Sequence, residues 1–546
     1  MNTHLLLVLS ILCVAFNLTK AVHIDDTAYL EISRHILADP LRPMSGFINW
    51  YSSDDLIASV NQPHLPFYVY ALVMALFGVS EWALHVVVSL TGVCAIWLFY
   101  RLALRCAPEN ADWLVVLFTL GPAFLPGQNL MVDTPLVLCW LAFFDLMTRP
   151  PDIRSSRHYA LAAAALAAAC LIKYTSVVLL PLFILTIGAR RAYWMLGWIA
   201  IPAMTLSVWS LWNYLDYGAI HLLSREPVAL TLKDWIFRWI EWFSGIGAMA
   251  PFALIALSSA WQVPRRRWII SAALLGGVGV TLHAHYPGAP YQIVLGWGLF
   301  FGAGCLLVGM TLSGAVNQLI AKWRAGDRVC AENIALLILW GAGVSVFIVS
   351  AAPFVAIRHI LLIVPALLLL LGMQFRPGAG RALRHTGVAL TATLGIAMSI
   401  SDHVWAGVYR TQAGEIYRQL RSETQDTIWH IGHWGWQWYA RKAGMPQYDT
   451  ETSVLEPGDY VVVAETVHGQ GITPAHREKL EQVSRIEIPS TPWTWVRLYN
   501  PTQMGGYYSF NYRWRALPWR FSNTPLETFT LYRVRGEMSS QERQGE

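Results

Sequence analysis

Apolar and polar positions are sorted along this chain into blocks. Up to about residue 400, long apolar runs are separated by short Arg-rich or Pro/Gly-rich connections, whereas from 402 onward the pattern is that of a globular domain. A helix that crosses a bilayer needs about 20 mostly apolar residues, with about 17 tolerable. Thirteen runs meet or approach that length, at about 3–19, 82–100, 112–126, 132–148, 158–172, 174–189, 193–212, 243–261, 268–284, 291–311, 333–351, 355–373 and 385–401. The pattern predicts a polytopic α-helical membrane protein of about 13 transmembrane helices over residues 1–401. It predicts an α/β domain over 402–546. The Ala-rich stretch 160–169 predicts close helix packing inside the membrane.

Composition agrees with the blocks. Over 546 residues, 55% are hydrophobic and 13% charged, which excludes a soluble protein of this size. The formal net charge of +5 does not indicate nucleic-acid binding, because the basic residues sit between apolar runs and report orientation instead. If the N-terminus is cytoplasmic, sixteen basic residues fall in six inner loops, from Arg101 and Arg105 through Arg265, Arg266 and Arg267 to Arg376, Arg381 and Arg384. The outer loops then hold eight, Lys20, Arg34, Arg42, Lys173, Arg225, Lys233, Arg238 and Arg358. The positive-inside bias favours this orientation in the plasma (inner) membrane, and an odd span count puts the C-terminal domain outside. The stretch from His4 to Leu18 lacks a basic leader and a small-x-small cleavage site, so it reads as an uncleaved first span. The seven cysteines contain no Cys-x-x-Cys spacing and argue neither a metal knuckle nor a disulfide framework.

A long outer loop, 20–81, follows the first span. Within it Tyr29, Ile32 and Ile36 recur at helical spacing while Asp25, Asp26 and Glu31 face elsewhere, which predicts a helix lying on the membrane surface. Phe67 to Phe77 is apolar and too short to span. Trp235, Trp239 and Trp242 beside Lys233 and Arg238 predict another interfacial helix. In the tail, strands are expected at Thr427 to Ile431, Asp459 to Ala464, near Trp495 to Tyr499 and at Thr528 to Val534, with a helix over Trp436 to Lys442.

The candidate chemistry lies on the outer side. Asp25 and Asp26 come just after the first span, where a carboxylate can serve as general base and two together can hold a divalent cation; as a helix cap, Asp would be equally at home. Asp133 stands between apolar sequences before Pro135, and acids at membrane depth usually face a cavity or partner. Arg358 runs against the positive-inside tendency and suits an anion, its guanidinium fork matching a phosphate, although snorkelling to the interface would also place it there. Lys173 offers a second cation on the same side. His64, and the pair His283 and His285, could meet a metal or phosphate or be ordinary polar loop residues.

Asp25-Asp26-x-x-Tyr29, Pro63-His64-x-Pro66, Asp133-x-Pro135 and Arg358-His359 running into Val364-Pro365 together resemble the GT-C superfamily. Within it the chain is similar to the dolichyl-phosphate-mannose protein mannosyltransferases and the bacterial aminoarabinose transferases of lipid A. Asp25-Asp26 stands where that family usually has Asp-Glu, and Asn61-Gln62 where the aminoarabinose enzymes have a Lys. The resemblance implies a polyprenyl-phosphate-linked sugar donor, inverting transfer of a hexosyl or pentosyl group at the outer face, and Asp25 as the essential acid. A lipid, glycan or protein acceptor is compatible with it. A transporter or flippase of a lipid-linked sugar is the competing reading, and an envelope scaffold a third.

Overall fold

The computed structural model describes residues 2–59, 62–224, 230–249, 255–256, 267–285, 287–375, 381–467, 469–500, 505–509 and 516–535. Asn61, Arg225, Arg265, Arg266 and Arg376 lie outside the described residues, as does most of the run expected to span at 243–261.

Among the described residues six helices are long and apolar enough to cross a membrane: Glu81–Cys106, Tyr193–Tyr217, Arg267–Ala284, Tyr291–Arg324, Arg328–Ala351 and Arg381–Glu423. The chain is a multi-pass membrane protein. Thr3–Leu18, Ser156–Ile172 and Tyr174–Ala189 are apolar helices of shorter length. Two of the thirteen runs expected to span are broken in the fold, each for a local reason. The run at 112–126 is helical only over Ala111–Thr119, because Gly121 and Pro122 follow and Pro removes a backbone donor. The run at 355–373 divides into Ile357–Ile360 and Val364–Gly372, with Pro365 in the first turn of the second piece.

Small residues let the long helices meet. A Cβ on Gly247 would lie 1.8 Å from the Phe300 carbonyl oxygen, and one on Gly304 would lie 1.9 Å from that of Phe243. The helices Leu232–Gly247 and Tyr291–Arg324 thus touch backbone to backbone, the contact that dispersion favours where lipid leaves little hydrophobic drive. At the end of the bundle expected to face the cytoplasm, Arg101, Arg105 and Arg149 converge on buried Asp145 at 3.2, 3.1 and 3.3 Å. Asp145, to which no role attaches in the sequence, therefore gathers three arginines of the loops expected inside.

The first loop forms the helices Asp26–Ala38 and Leu65–Phe77 with a short hairpin between them, Phe47–Asn49 against Asp54–Leu56. Tyr29, Ile32 and Ile36 are buried as their spacing predicts, but so are Asp26 and Thr27. The helix does not lie open on a surface. Tyr29 stacks on Phe67 at 4.8 Å on one side, and on the other Thr27 Oγ1 donates to the Trp434 carbonyl at 2.6 Å.

In the tail, strands Ile428–Ile431, Tyr460–Ala464, Glu527–Val534 and Leu480–Ile488 form one sheet in that spatial order, the first pair parallel and the others antiparallel. Three strands and the helix Trp434–Ala443 fall where expected; the region near 495–499 makes only two-residue strands, and Leu480–Ile488 was not anticipated. The helix Arg381–Glu423 runs unbroken through position 402, so the change of composition there falls inside one 43-residue helix. The tail sits on the first loop: Gln437 Nε2 donates to the Asn49 carbonyl at 2.9 Å, and His433 Nε2 lies 2.6 Å from the Tyr51 carbonyl oxygen. Both therefore occupy the same end of the bundle.

Candidate functional site

A cavity of ≈ 450 Å³ opens where the first loop meets the membrane helices. Its walls come from distant parts of the chain. The start of Asp26–Ala38 contributes Asp25, Ala28 and Tyr29; the loop contributes Trp50, Tyr51 and Gln62; the turn after Ser156–Ile172 contributes Lys173 and Thr175; and the segment after Arg328–Ala351 contributes Phe354, Arg358 and His359.

The chain breaks explain why charges reach this place. Arg358 lies in the four-residue helix that Pro365 separates from the rest of the apolar run, so its side chain is carried at a helix break. Its Nη1 donates to Asp25 Oδ2 at 2.7 Å, a charge-assisted bond between two partly buried side chains. The guanidinium carbon also lies 5.3 Å from the Phe354 ring centroid. Lys173 leaves its helix in extended conformation at the C-cap and donates to Asp133 Oδ1 at 3.3 Å. Asp133 opens the helix Asp133–Met147, where a carboxylate also suits the helix dipole.

Of the residues singled out from sequence, Asp25, Lys173 and Arg358 line the cavity, and Asp133 pairs with Lys173. Asp26 and His64 are placed elsewhere. Asp26 is fully buried, with Oδ2 accepting the His23 backbone N–H at 3.0 Å; burial pushes its carboxyl well above the ordinary range, against the pull of nearby Lys20. Asp25 and Asp26 therefore do not present their carboxylates side by side. His64 is fully buried between Phe67 and Trp209, ring centroids 5.1 and 5.9 Å away, with no hydrogen-bond partner among the described residues. Burial holds its imidazole well below the usual value, so it is neutral there. His283 packs on Phe237 away from the cavity. Among the described residues no group of three or more His, Cys, Asp or Glu is arranged to hold a metal ion.

Sequence reasoning did not select Tyr29, Tyr51, Gln62 or His359 for the cavity. His359 adjoins Arg358, and Tyr29 follows Asp25 by one helical turn, so both carried a signal; Tyr51 and Gln62 arrive through the path of the loop, which no periodicity encodes.

The cavity thus joins one carboxylate to two cations beside membrane helices, a set able to take a proton from a hydroxyl and to face a phosphate. Residues 61–213 match the sequence family described as dolichyl-phosphate-mannose-protein mannosyltransferase. That stretch holds Asp133 and Lys173, and it bears out the resemblance drawn from the motifs. No curated relative matches the chain. Among solved structures, the chain is similar to ArnT from Cupriavidus metallidurans bound to undecaprenyl phosphate, at 16% identity over 90% of this chain and 96% of that one, with a TM-score of 0.39. It is also similar to the Archaeoglobus fulgidus oligosaccharyltransferase tethered to an acceptor peptide, at 12% identity over 82% and 63% of the two chains and a TM-score of 0.45. The mycobacterial arabinofuranosyltransferase AftD shares 14% identity over 99% of this chain and 42% of its own, with a TM-score of 0.35.

Proposed function

We propose that this chain is an integral membrane glycosyltransferase that moves a sugar from a polyprenyl-phosphate donor to an envelope acceptor, a lipid, glycan or protein, at the outer face of the plasma membrane. The observation that carries the reading is the cavity in which Asp25, Arg358 and Lys173 meet beside membrane helices. The family match over 61–213 supports it.

Asp25 accepts the proton of the acceptor hydroxyl as its oxygen attacks the anomeric carbon. The bond from that carbon to the phosphate oxygen breaks, and polyprenyl phosphate leaves with its negative charge facing Arg358 and Lys173. One displacement inverts the anomeric centre and needs no enzyme nucleophile. Asp133 holds Lys173 in place. An apolar cavity of ≈ 230 Å³ between Trp242, Leu312 and Leu367 is suited to part of a prenyl chain; helix Arg328–Ala351 lines it with Val346 and lines the polar cavity with Phe347. The proposal assigns the charge opposite the leaving phosphate to side chains, so transfer is expected to survive EDTA.

The test incubates purified protein with undecaprenyl phosphate carrying a radiolabelled hexose or pentose, and with extracted envelope lipids, glycans and proteins. Label arriving on one acceptor fraction supports the reading. Movement of intact donor across proteoliposomes with no transfer would replace it with the transporter reading.

A further inference from the structure

Asp25 enters the cavity from a turn whose geometry is costly. The Asp26 backbone N–H donates to the His23 carbonyl at 3.1 Å, closing a turn with Ile24 and Asp25 at its two central positions. Ile24 has φ +48°. A β-branched residue is an outlier at positive φ, and the first central position of a primed turn ordinarily takes glycine. Such a conformation persists where its surroundings over-determine it.

The surroundings here are a buried polar knot outside the cavity. Lys20 Nζ lies 2.6 Å from Asp402 Oδ2, and His23 Nε2 lies 3.2 Å from Asp402 Oδ1. Tyr508 of the tail donates its hydroxyl to Asp402 Oδ2 at 2.7 Å. Lys20 Nζ also donates to the carbonyls of Pro126 and Gln128, at 3.1 and 3.3 Å. Lys20, His23 and Asp402 are each no more than 2% exposed. His23 opens the turn and Lys20 stands three residues before it, while the Asp26 carboxyl oxygen at the far end accepts the His23 backbone N–H. Asp402 therefore pins the chain immediately before Ile24, from the long helix that leads into the tail.

We propose that Asp402 is a positioning residue for Asp25: by binding Lys20 and His23 it holds the Ile24 turn in the strained form that directs the Asp25 carboxylate into the cavity. The proposal rests on the reading of Asp25 as the base in sugar transfer. It also gives the tail a part in the reaction, since Tyr508 completes the knot.

The test is a rescue. Asp402→Asn should lower kcat at least tenfold in the transfer assay while the donor KM stays within twofold, because Arg358 and Lys173 are untouched. Adding Ile24→Gly, which adopts positive φ without strain, should return kcat to within about threefold of wild type. A general loss of folding would not be repaired by a glycine at this turn. The milder Tyr508→Phe, alone and with Ile24→Gly, repeats the comparison if Asp402→Asn cannot be purified, with a loss of about threefold expected and regained. A folded Asp402→Asn protein of normal kcat, or a double variant as slow as its parent, overturns the inference. Asp25→Asn run in parallel separates the two levels: normal transfer there defeats the reading of Asp25 itself, whereas its loss together with a failed rescue defeats the role of Asp402 alone.

Discussion

Asp25 and Arg358 are 333 positions apart and meet at 2.7 Å inside the cavity. Each offers the other a partner of opposite charge where both are partly buried, so neither is left unpaired before substrate arrives. In the proposed reaction the leaving phosphate claims the guanidinium and the acceptor hydroxyl claims the carboxylate, and the ion pair is the resting arrangement of both functions.

Asp25→Asn keeps the shape and removes the proton acceptor. Transfer should fall by at least about 100-fold, the low end for losing a general base. Asp26→Asn should act chiefly on stability, because that side chain is buried against the His23 backbone. Initial rates and melting temperatures of both proteins decide the matter, and a fully active, folded Asp25→Asn enzyme would remove Asp25 from its role.

Arg358→Ala should weaken use of the donor more than Arg358→Lys, since Lys retains the charge and loses the planar fork. The donor KM in the transfer assay is the measurement. Equal, unchanged KM values in both variants would leave Arg358 as an interfacial anchor.

Lys173 and Asp133 form one unit at 3.3 Å. Lys173→Met should cost about tenfold in kcat/KM. If Asp133 acts by holding Lys173, Asp133→Asn added to Lys173→Met should cost little more, whereas independent roles would make the two losses multiply.

Glu527 reports on the junction between tail and membrane helix. Its carboxylate accepts Tyr409 Oη–H at 2.7 Å and the Thr466 and Thr528 backbone N–H groups at 2.8 Å, yet burial lifts its pKa from 4.5 to about 7. Between pH 4.5 and about 7 the folded state holds a proton that the unfolded chain has released, so the stability contributed by Glu527 is full below pH 4.5 and is lost as pH rises through about 7. Between about pH 5 and about pH 7.5 the wild-type Tm should drop by a few degrees more than that of Glu527→Gln. Parallel melting curves of the two proteins would contradict the assignment.

Cysteines placed at Ser52 and Val454, in a background without native cysteines, should react with an impermeant reagent in intact cells. One at Lys322 should not. Reversal of that pattern would turn the protein over in the membrane and move the cavity to the cytoplasmic side.

Local pattern is enough to make this a multi-pass helical membrane protein, to locate its apolar segments and to mark the charges at their ends. Those features are local: apolar runs, prolines and the cost of charge in hydrocarbon leave a readable mark on any chain. It also supplied Asp25, Lys173 and Arg358, because a charged residue beside a span has few cheap explanations. What those charges face depends on how the packed chain folds back on itself. Packing placed Asp26 and His64, indistinguishable from cavity residues by sequence, in buried positions, since one step along a helix turns a side chain by about 100° and the fold of a loop decides where an imidazole packs. Asp402 also meets Lys20 and His23, a pairing across more than 370 positions that no local pattern encodes, because the partners come together only when the helices and the tail close around them, and once water is excluded the loss of any one strands the others.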